Sequence, residues 1–439
     1  MCGIIGYSGP KQPLPILLGG LSRLEYRGYD SAGIAITDGK NLIIEKKQGK
    51  LQVLKDHLSD KKINGNIGIG HTRWATHGIP SDENAHPHYD NNQDFAIIHN
   101  GIIENYDEMK EELLKEDYQF ESETDTEVVA VELSKRWTGN LLETVCKVAK
   151  DLDGTYALVV TTVKQPDTIV AGRMMSPLVL GVGEGEVFLA SDSAAILEHT
   201  NKMIFLENGD FVEIKDGNYE LFDINMNKIS REIQEIDWEV SEAEKSGHDH
   251  FMYKEILEQA DVIERTITGR LEVGSEEIPV DSKQAKQFEK IWIVACGTAY
   301  HAGLFGKDLF EKVLGVSVSV ELASEFRYRE PIVGENDLAI VISQSGETMD
   351  TIAATELLKE NNAHVLALVN VVGSSLARMA DSVLYLHVGP EIGVASTKAY
   401  LGMLVGQLLL AKHWDESSKL ETTFDEIKQL PSLIKETLK

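Results

Sequence analysis

The hydrophobic pattern changes once along the chain, and this change constrains the fold more than any other feature of the sequence. From Ile291 onward, the apolar runs IWIVA, LAIVIS, VLALVN and VLYLHV each lead into a loop rich in small residues. Three of these loops then open a helical pattern, which is typical of a parallel sheet with helices on both faces. Residues 2–235 hold short β-type runs and a few helical patterns without regular alternation, so they predict α+β layers.

The two patterns predict two domains in a chain of 439 residues, within the range of about two to four modules expected for this length. We predict a first domain over residues 2–235 and a second, α/β domain over residues 282–425. The charged segment 236–281 is interpreted as a linker. Residues 426–439 are interpreted as the start of a connection to a further domain.

The charge balance restricts the partners of the chain. It has 42 Lys+Arg against 71 Asp+Glu, a formal net charge of −29, whereas nucleic-acid binding needs Lys/Arg stripes. Three cysteines cannot form a disulfide framework and suggest a reducing compartment. The N-terminus lacks the features of a signal peptide, and the apolar stretch LGMLVGQLLLA is too short to span a bilayer. We therefore predict a cytoplasmic protein without nucleic-acid or membrane partners.

Cys2 is the first candidate for chemistry. Its small size permits removal of Met1, which would leave Cys2 with a free α-amino group. The unperturbed pKa of this amine is about 7.7–8.0, so it can take the thiol proton and return it to a leaving group. The alternative is a chance cysteine that acts as a small buried hydrophobe. The apolar run after Cys2 favours chemistry, because it would anchor the terminus in a sheet.

Three downstream segments, HTRWATHG, HNGIIEN and SETDTE, supply polar groups that amide hydrolysis needs. Arg73 can hold a carboxylate with its forked guanidinium, and Asp125, before a helix start, can hold an ammonium group. The Asn100 side chain and the Gly101 N–H can form an oxyanion hole, since glycine lets its backbone approach closely. Around a nucleophile, these groups describe an amino-acid substrate with a side-chain carbonyl.

The motifs CGIIGY, LEYRGYDSAG, HTRWATHG, NAHPH, HNGIIEN and SETDTE resemble the glutaminase domain of class II amidotransferases with an N-terminal nucleophile. Together with HFMYKEILEQ, SQSGET and EIGVASTKA, they most resemble the glutamine–fructose-6-phosphate aminotransferase family. The resemblance implies an αββα hydrolase sandwich in which Cys2 attacks the glutamine γ-carbonyl, forms a thioester and releases ammonia. It also implies glutamine binding by Arg73, Thr76, His77, Gly101 and Asp125, and a role for Trp74 in gating the ammonia route.

Histidines at positions 71, 77, 86, 88 and 99 raise the question of a metal. The sequence has no HExxH motif and no Cys/His pairing with the spacing of structural zinc sites. We therefore predict no metal and no cofactor.

In the second half, the loop SQSGET (Ser343–Thr348) follows an apolar run and opens a helical pattern. Its hydroxyls and backbone N–H groups would face an anion at the helix N-terminus, without a Walker lysine for ATP chemistry. An ordinary turn is the alternative, because Ser and Gly also make turns. The loops Ala295–Gly303 and Gly389–Ala399 also follow strands, and three such loops can converge on one ligand.

These loops resemble the first sugar-isomerase (SIS) module of the same family. The resemblance implies binding of fructose 6-phosphate by Thr298, Ser343, Gln344, Ser345 and Thr348, with Val394 nearby. Ala299 stands where many relatives carry a second hydroxyl. One hydrogen bond to the sugar or phosphate is therefore expected to be missing or to come from a neighbour.

In the family, a second sugar-isomerase module follows, with the ring-opening histidine, the isomerising glutamate and the Schiff-base lysine. This sequence ends at Lys439, and none of its residues is assigned those roles. We expect encoded glutaminase chemistry and an incomplete synthase half. The expected overall reaction converts D-fructose 6-phosphate and L-glutamine into D-glucosamine 6-phosphate and L-glutamate, for amino-sugar (UDP-N-acetylglucosamine) biosynthesis. A homodimer is expected if the missing module is supplied.

Other functions were weighed against this hypothesis. Asparagine synthetase would need an ATP-pyrophosphatase loop after residue 240, and amidophosphoribosyltransferase an acidic diphosphate-binding loop; neither motif is found, and SQSGET favours a phosphosugar. A non-enzymatic phosphosugar sensor usually carries a helix-turn-helix, which we do not find. An inactive remnant is the third alternative.

Overall fold

The computed structural model describes residues 2–25, 28–75, 77–236, 247–272 and 275–439. The chain divides into two compact units, Met1–Val240 and Ser241–Lys439. No helix in these described ranges combines the length and the apolar character that crossing a membrane requires.

The first unit contains two antiparallel sheets. Its strands are β1 (Gly3–Ser8), β2 (Ser31–Thr37), β3 (Leu42–Gln48), β4 (Ile67–Arg73), β5 (His88–Tyr89), β6 (Phe95–Ile103), β7 (Gly154–Thr162), β8 (Gln165–Met174), β9 (Val179–Val182), β10 (Val187–Ala190), β11 (Lys202–Phe205), β12 (Asp210–Lys215), β13 (Asn218–Asp223), β14 (Lys228–Ile229) and β15 (Gln234–Glu235). One sheet has the order β15-β11-β9-β10-β1-β4-β2-β3, and the other has the order β14-β13-β12-β8-β7-β6-β5.

Helices cover the outer faces of both sheets. They are α1 (Pro13–Leu24), α2 (Leu51–Leu58), α3 (Tyr106–Lys115), α4 (Asp125–Lys135) and α5 (Leu141–Ala149), with a short 3₁₀ turn at Ser193–Ala195. Apolar side chains of α1 and α2 pack on the first sheet, and those of α3, α4 and α5 pack on the second. A separate core, built from both sheets, fills the space between them. The predicted αββα fold is confirmed.

The period-2 alternation of the strands places the candidate residues at one end of this inner core. Ile4 of β1, Ile69 of β4 and Ile98 of β6 pack between the sheets. Side chains two residues away along a strand point to the same face. The residues in register with these core positions, at the strand ends, are Cys2, His71, Arg73 and Asn100.

The second unit contains a parallel sheet, as predicted. Its strands are β16 (Lys290–Ala295), β17 (Ser317–Leu322), β18 (Asp337–Ser343), β19 (His364–Val369) and β20 (Ser382–Tyr385). Its helices are α6 (Phe251–Leu257), α7 (Gln259–Ile267), α8 (Ser282–Ala285), α9 (Gly297–Leu314), α10 (Ala323–Phe326), α11 (Met349–Glu360), α12 (Ser375–Met379), α13 (Lys398–Trp414) and α14 (Thr423–Thr437). The strand order β17-β16-β18-β19-β20 includes β17, which the sequence analysis did not identify.

This order creates a crevice next to β16. The chain leaves β16 for β17 on one side and then crosses to β18 on the other side. In open parallel sheets, ligands bind at such a reversal, outside the carboxyl ends of the strands. The loops that follow β16 and β18 are therefore the expected location of a ligand in this unit.

The segment predicted as a linker, 236–281, carries structure in its described part. It includes α6 and α7, and Val262, Ile263 and Ile267 belong to the core of the second unit. Charged residues lie on the exposed face of α7 and in the buried part of α6, and this high charge explains why the segment resembles a linker in composition. Likewise, α14 runs across the predicted boundary at residue 425. The boundaries of the two domains stay predictions.

Candidate functional site

Cys2 lies directly before β1, and the backbone after β4 holds its thiol. Trp74 N–H donates a hydrogen bond to Cys2 Sγ at 3.2 Å, and Sγ lies 3.5 Å from the Trp74 carbonyl oxygen. Burial raises the pKa of the Cys2 thiol, while the hydrogen bond with the Trp74 backbone opposes this rise. A thiol whose pKa is raised needs a base before it can act as a nucleophile.

Asp30 shapes the backbone that holds this thiol. Its Oδ2 accepts a hydrogen bond from Ala75 N–H, and its own N–H donates to the Arg73 carbonyl at 3.2 Å. Ser31 Oγ donates to Asp30 Oδ1 at 3.0 Å. Asp30 is not among the predicted site residues, although it lies in the motif LEYRGYDSAG that contributes to the family resemblance.

The predicted oxyanion-hole residues lie beside Cys2. Asn100 Nδ2 donates to the Cys2 carbonyl oxygen at 3.0 Å, so the amide N–H₂ group faces the nucleophilic residue. Gly101 has φ +134, and a Cβ there would lie 1.9 Å from the Thr155 carbonyl oxygen. This position therefore accepts only glycine.

Arg73 is buried at the end of β4 and is incompletely paired. Its Nη2 donates to the carbonyl oxygens of His77 and Gly78, the latter at 3.2 Å. Its Nη1 is buried and has no hydrogen-bond partner within the described part of the chain. An unpaired buried cationic N–H is costly, so this nitrogen is suited to a carboxylate of a ligand.

Asp125 is the first residue of α4 and is buried. Its Oδ2 accepts a hydrogen bond from Ile103 N–H at 2.9 Å, and its Oδ1 accepts one from Thr126 Oγ1 at 3.1 Å. Because Ile103 lies two residues after Gly101 in β6, these bonds tie the carboxylate to the strand that carries the predicted oxyanion donors.

The other predicted glutamine-site residues differ in how far the structure places them. The His77 ring lies edge-on to Tyr106, with centroids 5.5 Å apart. The exposed Trp74 indole lies edge-on to Tyr29, with centroids 5.2 Å apart. Thr76 falls outside the described residues.

Several of the histidines considered for a metal form a buried cluster. The ring centroids of His71 and His86 are 4.2 Å apart, and those of His86 and His88 are 4.6 Å apart. Burial lowers the pKa of each of these three histidines, which favours their neutral forms. His86 Nε2 lies 3.1 Å from Thr126 Oγ1, and His88 Nε2 lies 2.9 Å from Thr124 Oγ1, so both rings contact the start of α4.

In the second unit, the loop SQSGET connects β18 to α11. Ser343 Oγ and Thr348 Oγ1 are 2.9 Å apart, and Gly346 N–H donates to Ser343 Oγ at 3.0 Å. Gly346 has φ +66, and a Cβ there would lie 2.1 Å from Ser374 Oγ. Glycine therefore allows a tight turn that brings the predicted hydroxyls to the N-terminus of a helix.

Thr298 lies across the crevice from this loop. It is exposed in the first turn of α9, directly after β16. Ala295 of β16 pairs with Ile342 of β18, so Thr298 and Ser343 follow neighbouring strands at the same edge of the sheet. The structure thus places both predicted segments at the reversal in strand order.

Asn370 links SQSGET to the third predicted loop. Its backbone N–H donates to the Gln344 carbonyl at 3.1 Å, and its Nδ2 donates to the Gly389 carbonyl at 2.8 Å. Its Oδ1 accepts from Val388 N–H at 2.9 Å. Asn370 is not among the predicted site residues; its signal in the sequence is a polar residue at the end of the apolar run VLALVN.

Glu255 of α6 holds the backbone next to Val394. Its Oε1 accepts hydrogen bonds from Ile392 N–H at 2.6 Å and from Gly393 N–H at 2.9 Å. The Glu255 carboxyl is buried, whereas Val394 is 72% exposed. This carboxylate therefore fixes the loop while the Val394 side chain remains accessible.

Comparisons with known proteins agree with both halves. The family model described as "Glutamine amidotransferase domain" matches residues 52–238, and the one described as "SIS domain" matches residues 285–412. The glutamine–fructose-6-phosphate aminotransferase (isomerizing) of Caldanaerobacter subterraneus subsp. tengcongensis is 49% identical, over 99% of this chain and 73% of the relative. The enzyme of the same name from Clostridium tetani is 47% identical, over 98% of this chain and 72% of the relative.

Among solved structures, the C-terminal domain of glucosamine-fructose-6-phosphate aminotransferase from Francisella tularensis is 37% identical, with a TM-score of 0.40. The match covers 43% of this chain and 56% of the Francisella tularensis chain. The identity to the full-length relatives, over nearly the whole sequence and both units, shows the family. The chain belongs to the glutamine–fructose-6-phosphate aminotransferase (isomerizing) family.

Proposed function

We propose that this chain hydrolyses L-glutamine at Cys2 and uses the ammonia to aminate fructose 6-phosphate, which the second unit binds. The observation that carries the proposal is the arrangement around Cys2. The Cys2 thiol sulfur lies 3.2 Å from Trp74 N, and the Asn100 amide donates a hydrogen bond to the Cys2 carbonyl oxygen. Arg73 Nη1 is buried without a hydrogen-bond partner among the described residues.

The proposed chemistry starts with removal of Met1. The α-amine of Cys2 takes the thiol proton, and Sγ attacks the γ-carbonyl carbon of glutamine. Asn100 Nδ2 and Gly101 N–H stabilise the negative oxygen of the tetrahedral intermediate. The intermediate collapses to a thioester as the C–N bond breaks and the amine gives its proton to the –NH2 group, which leaves as ammonia. Water then hydrolyses the thioester C–S bond and releases glutamate and the free thiol.

The remaining residues bind the substrate. Arg73 is proposed to hold the α-carboxylate and Asp125 the α-ammonium group. Thr76 and His77 complete the glutamine site, and Trp74 gates the route of ammonia. These roles are supported by the burial and hydrogen bonding of Arg73 and Asp125 and by the family relationship.

For the second unit, the proposed ligand is fructose 6-phosphate. Support comes from hydroxyl-rich SQSGET at a helix N-terminus and from its position beside Thr298 at the strand-order reversal. The residues proposed to contact the ligand are Thr298, Ser343, Gln344, Ser345 and Thr348, with Val394 nearby. A cytoplasmic location and a homodimer remain predictions.

The first experiment measures glutamate and glucosamine 6-phosphate separately for the purified protein. We expect Cys2→Ala to reduce glutamate release by about 10³-fold or more, because the nucleophile is lost. Cys146→Ala is the matched control, since Cys146 is buried in α5. Mass spectrometry of the active protein should show that Met1 is absent.

Each outcome of this experiment indicates a different activity for the chain. Glutamate together with glucosamine 6-phosphate identifies a complete synthase, and glutamate alone a glutaminase whose synthase half is incomplete. Glutamate release by Cys2→Ala at the wild-type rate, or by a chain that retains Met1, contradicts the proposal. Binding of fructose 6-phosphate without glutamate release would favour the phosphosugar-sensor alternative.

A further inference from the structure

The amide of Asn100 has a defined orientation, which follows from the backbone carbonyls of Cys2 and His99. Asn100 Nδ2 lies 3.0 Å from the Cys2 carbonyl oxygen, which can only accept. The other amide atom, Oδ1, must therefore face away from Cys2. It lies 3.0 Å from His71 Nε2.

The same reasoning determines the tautomer of His71. His71 Nε2 lies 3.0 Å from the His99 carbonyl oxygen as well as from Asn100 Oδ1. Both oxygens are acceptors, so Nε2 carries the hydrogen and donates to them. A chain of donors thus runs from the His71 ring through the Asn100 amide to the Cys2 carbonyl.

The environment of His71 keeps it a neutral donor. The side chain is fully buried, and this burial lowers its pKa to about 3, against the opposite effect of its hydrogen bonds to Asn100 and His99. Its Nδ1 is buried and has no hydrogen-bond partner within the described ranges. Without a partner at Nδ1, the ring does not pass a proton onward, so its contribution is to orientation.

We infer that His71 is a positioning residue for glutamine hydrolysis: it keeps the Asn100 amide turned so that Nδ2 faces the nucleophile. A flipped amide would place an oxygen where negative charge develops and would repel the oxyanion. Correctly placed donors act mainly in the transition state, and loss of one typically costs about 10²–10³ in kcat. The inference rests on the proposed function, because it assumes that Cys2 attacks a carboxamide.

The test compares three substitutions at this position. His71→Gln can place an amide N–H near the position of Nε2, whereas His71→Asn is too short to reach Asn100, and His71→Leu has no donor. We expect His71→Asn and His71→Leu to lower kcat for glutamine hydrolysis about 10–100-fold, with KM changed less than about 3-fold. His71→Gln should restore most of kcat.

A separate measurement excludes a general loss of structure. The inhibition constant of the product glutamate reports on ground-state binding by Arg73 and Asp125, and it should stay within about 2-fold of wild type. His88→Leu is the control within the cluster. Its Nε2 contacts Thr124 Oγ1 at 2.9 Å rather than Asn100, so its kcat should fall less than that of His71→Leu.

The outcomes separate the inference from the proposed function. Wild-type protein without Cys2-dependent hydrolysis would overturn both. Cys2-dependent hydrolysis combined with a kcat of His71→Asn within 3-fold of wild type would overturn the role of His71 alone. If His71→Leu does not fold, the difference in kcat between His71→Gln and His71→Asn decides, and equal kcat values for these two would contradict the inference.

Discussion

The two terminal nitrogens of the Arg73 guanidinium have different roles, one bonded within the protein and the other proposed to bind a ligand. Nη2 is bonded to the carbonyls of His77 and Gly78, whereas Nη1 is buried and lacks a partner in the described structure. The bonds to His77 and Gly78 hold the side chain in place before a ligand arrives. A planar fork can serve both purposes at once, and a lysine ammonium, a point charge on a flexible chain, cannot.

Arg73→Lys should therefore raise KM for glutamine about 10–100-fold while kcat falls less. The α-carboxylate is held equally in the ground state and the transition state, so its loss weakens uniform binding. Steady-state kinetics of glutamate release measures both constants. Arg136→Lys, on a partly exposed ion pair with Asp151, is the control and should leave both constants unchanged. An unchanged KM for Arg73→Lys would contradict the assignment of this arginine to the carboxylate.

Residues with a local signal could be predicted from the sequence, and residues that act through tertiary contacts could not. Cys2, Arg73 and Asn100 stand in recognisable motifs, and the structure brings them together. Asp30 and His71 also lie in quoted motifs, but their importance comes from contacts with Ala75 and Asn100, which a sequence does not reveal. The catalytic and binding roles themselves remain predictions.

The secondary-structure elements likewise separate into those with a clear hydrophobic signal in the sequence and those without one. Three of the four predicted strands of the second unit are buried apolar runs and the fourth, β20, is a partly buried apolar run, whereas β17 is a partly exposed edge strand in which polar residues alternate with valine. Such a strand has a weak hydrophobic signal. Helix α7 buries an apolar face and exposes a charged one, whereas α6 buries Lys254 and Glu255, so the charged composition of the segment favours a linker although both helices are part of the folded unit.

The loop that carries Val394 depends on a buried carboxylate from a different element. Burial raises the pKa of Glu255, and the hydrogen bonds from Gly393 and Ile392 act in the opposite direction. These bonds are made to a charged acceptor, so each is stronger than a neutral one. The conformation of the loop is therefore set by α6 rather than by the loop residues alone.

Glu255→Gln should weaken binding of fructose 6-phosphate about 10-fold, because one acceptor oxygen becomes a donor that faces backbone N–H groups. Calorimetry measures the affinity, and hydrogen exchange should increase in residues 389–397 but not in SQSGET. Glu264→Gln, an exposed position of α7 near Lys435, is the control. Unchanged exchange in the loop together with unchanged affinity would show that Glu255 does not position it.

At the scale of the whole molecule, each unit has cores of its own. The buried histidines are distributed unevenly between the units. His71, His86, His88 and His99 lie in the first unit, and burial lowers the pKa of each. The response of stability to mild acid should therefore be stronger in the first unit than in the second.

The direction follows from proton linkage. Unfolded histidines have a pKa of about 6.5, and the folded pKa values of these four lie below it, so the unfolded state binds more protons as pH falls below about 6.5. These histidines therefore do not reduce the free energy of unfolding above pH 7. The free energy of unfolding decreases as the pH falls from there toward the pKa values of the histidines in the folded protein. Each histidine that stays neutral when folded costs about 1.4 kcal/mol between pH 7.5 and 5.5. Carboxylates contribute little in this window, because most titrate at lower pH.

Native-state hydrogen exchange at pH 7.5 and 5.5, corrected for the intrinsic exchange rate, measures this effect for each unit. The free energy of opening should fall by about 3–5 kcal/mol in β4 and β6 if most of the four histidines remain neutral. His88→Gln should lower the number of protons taken up on opening by about one, and so make the free energy of opening less dependent on pH. Glutamine does not titrate, and it can still bond to Thr124. An equal pH dependence in wild type and His88→Gln would mean that His88 is already charged in the folded protein. In that case, the buried cluster would be positively charged rather than neutral, and the orientation argued for the His71 ring would need an independent cause.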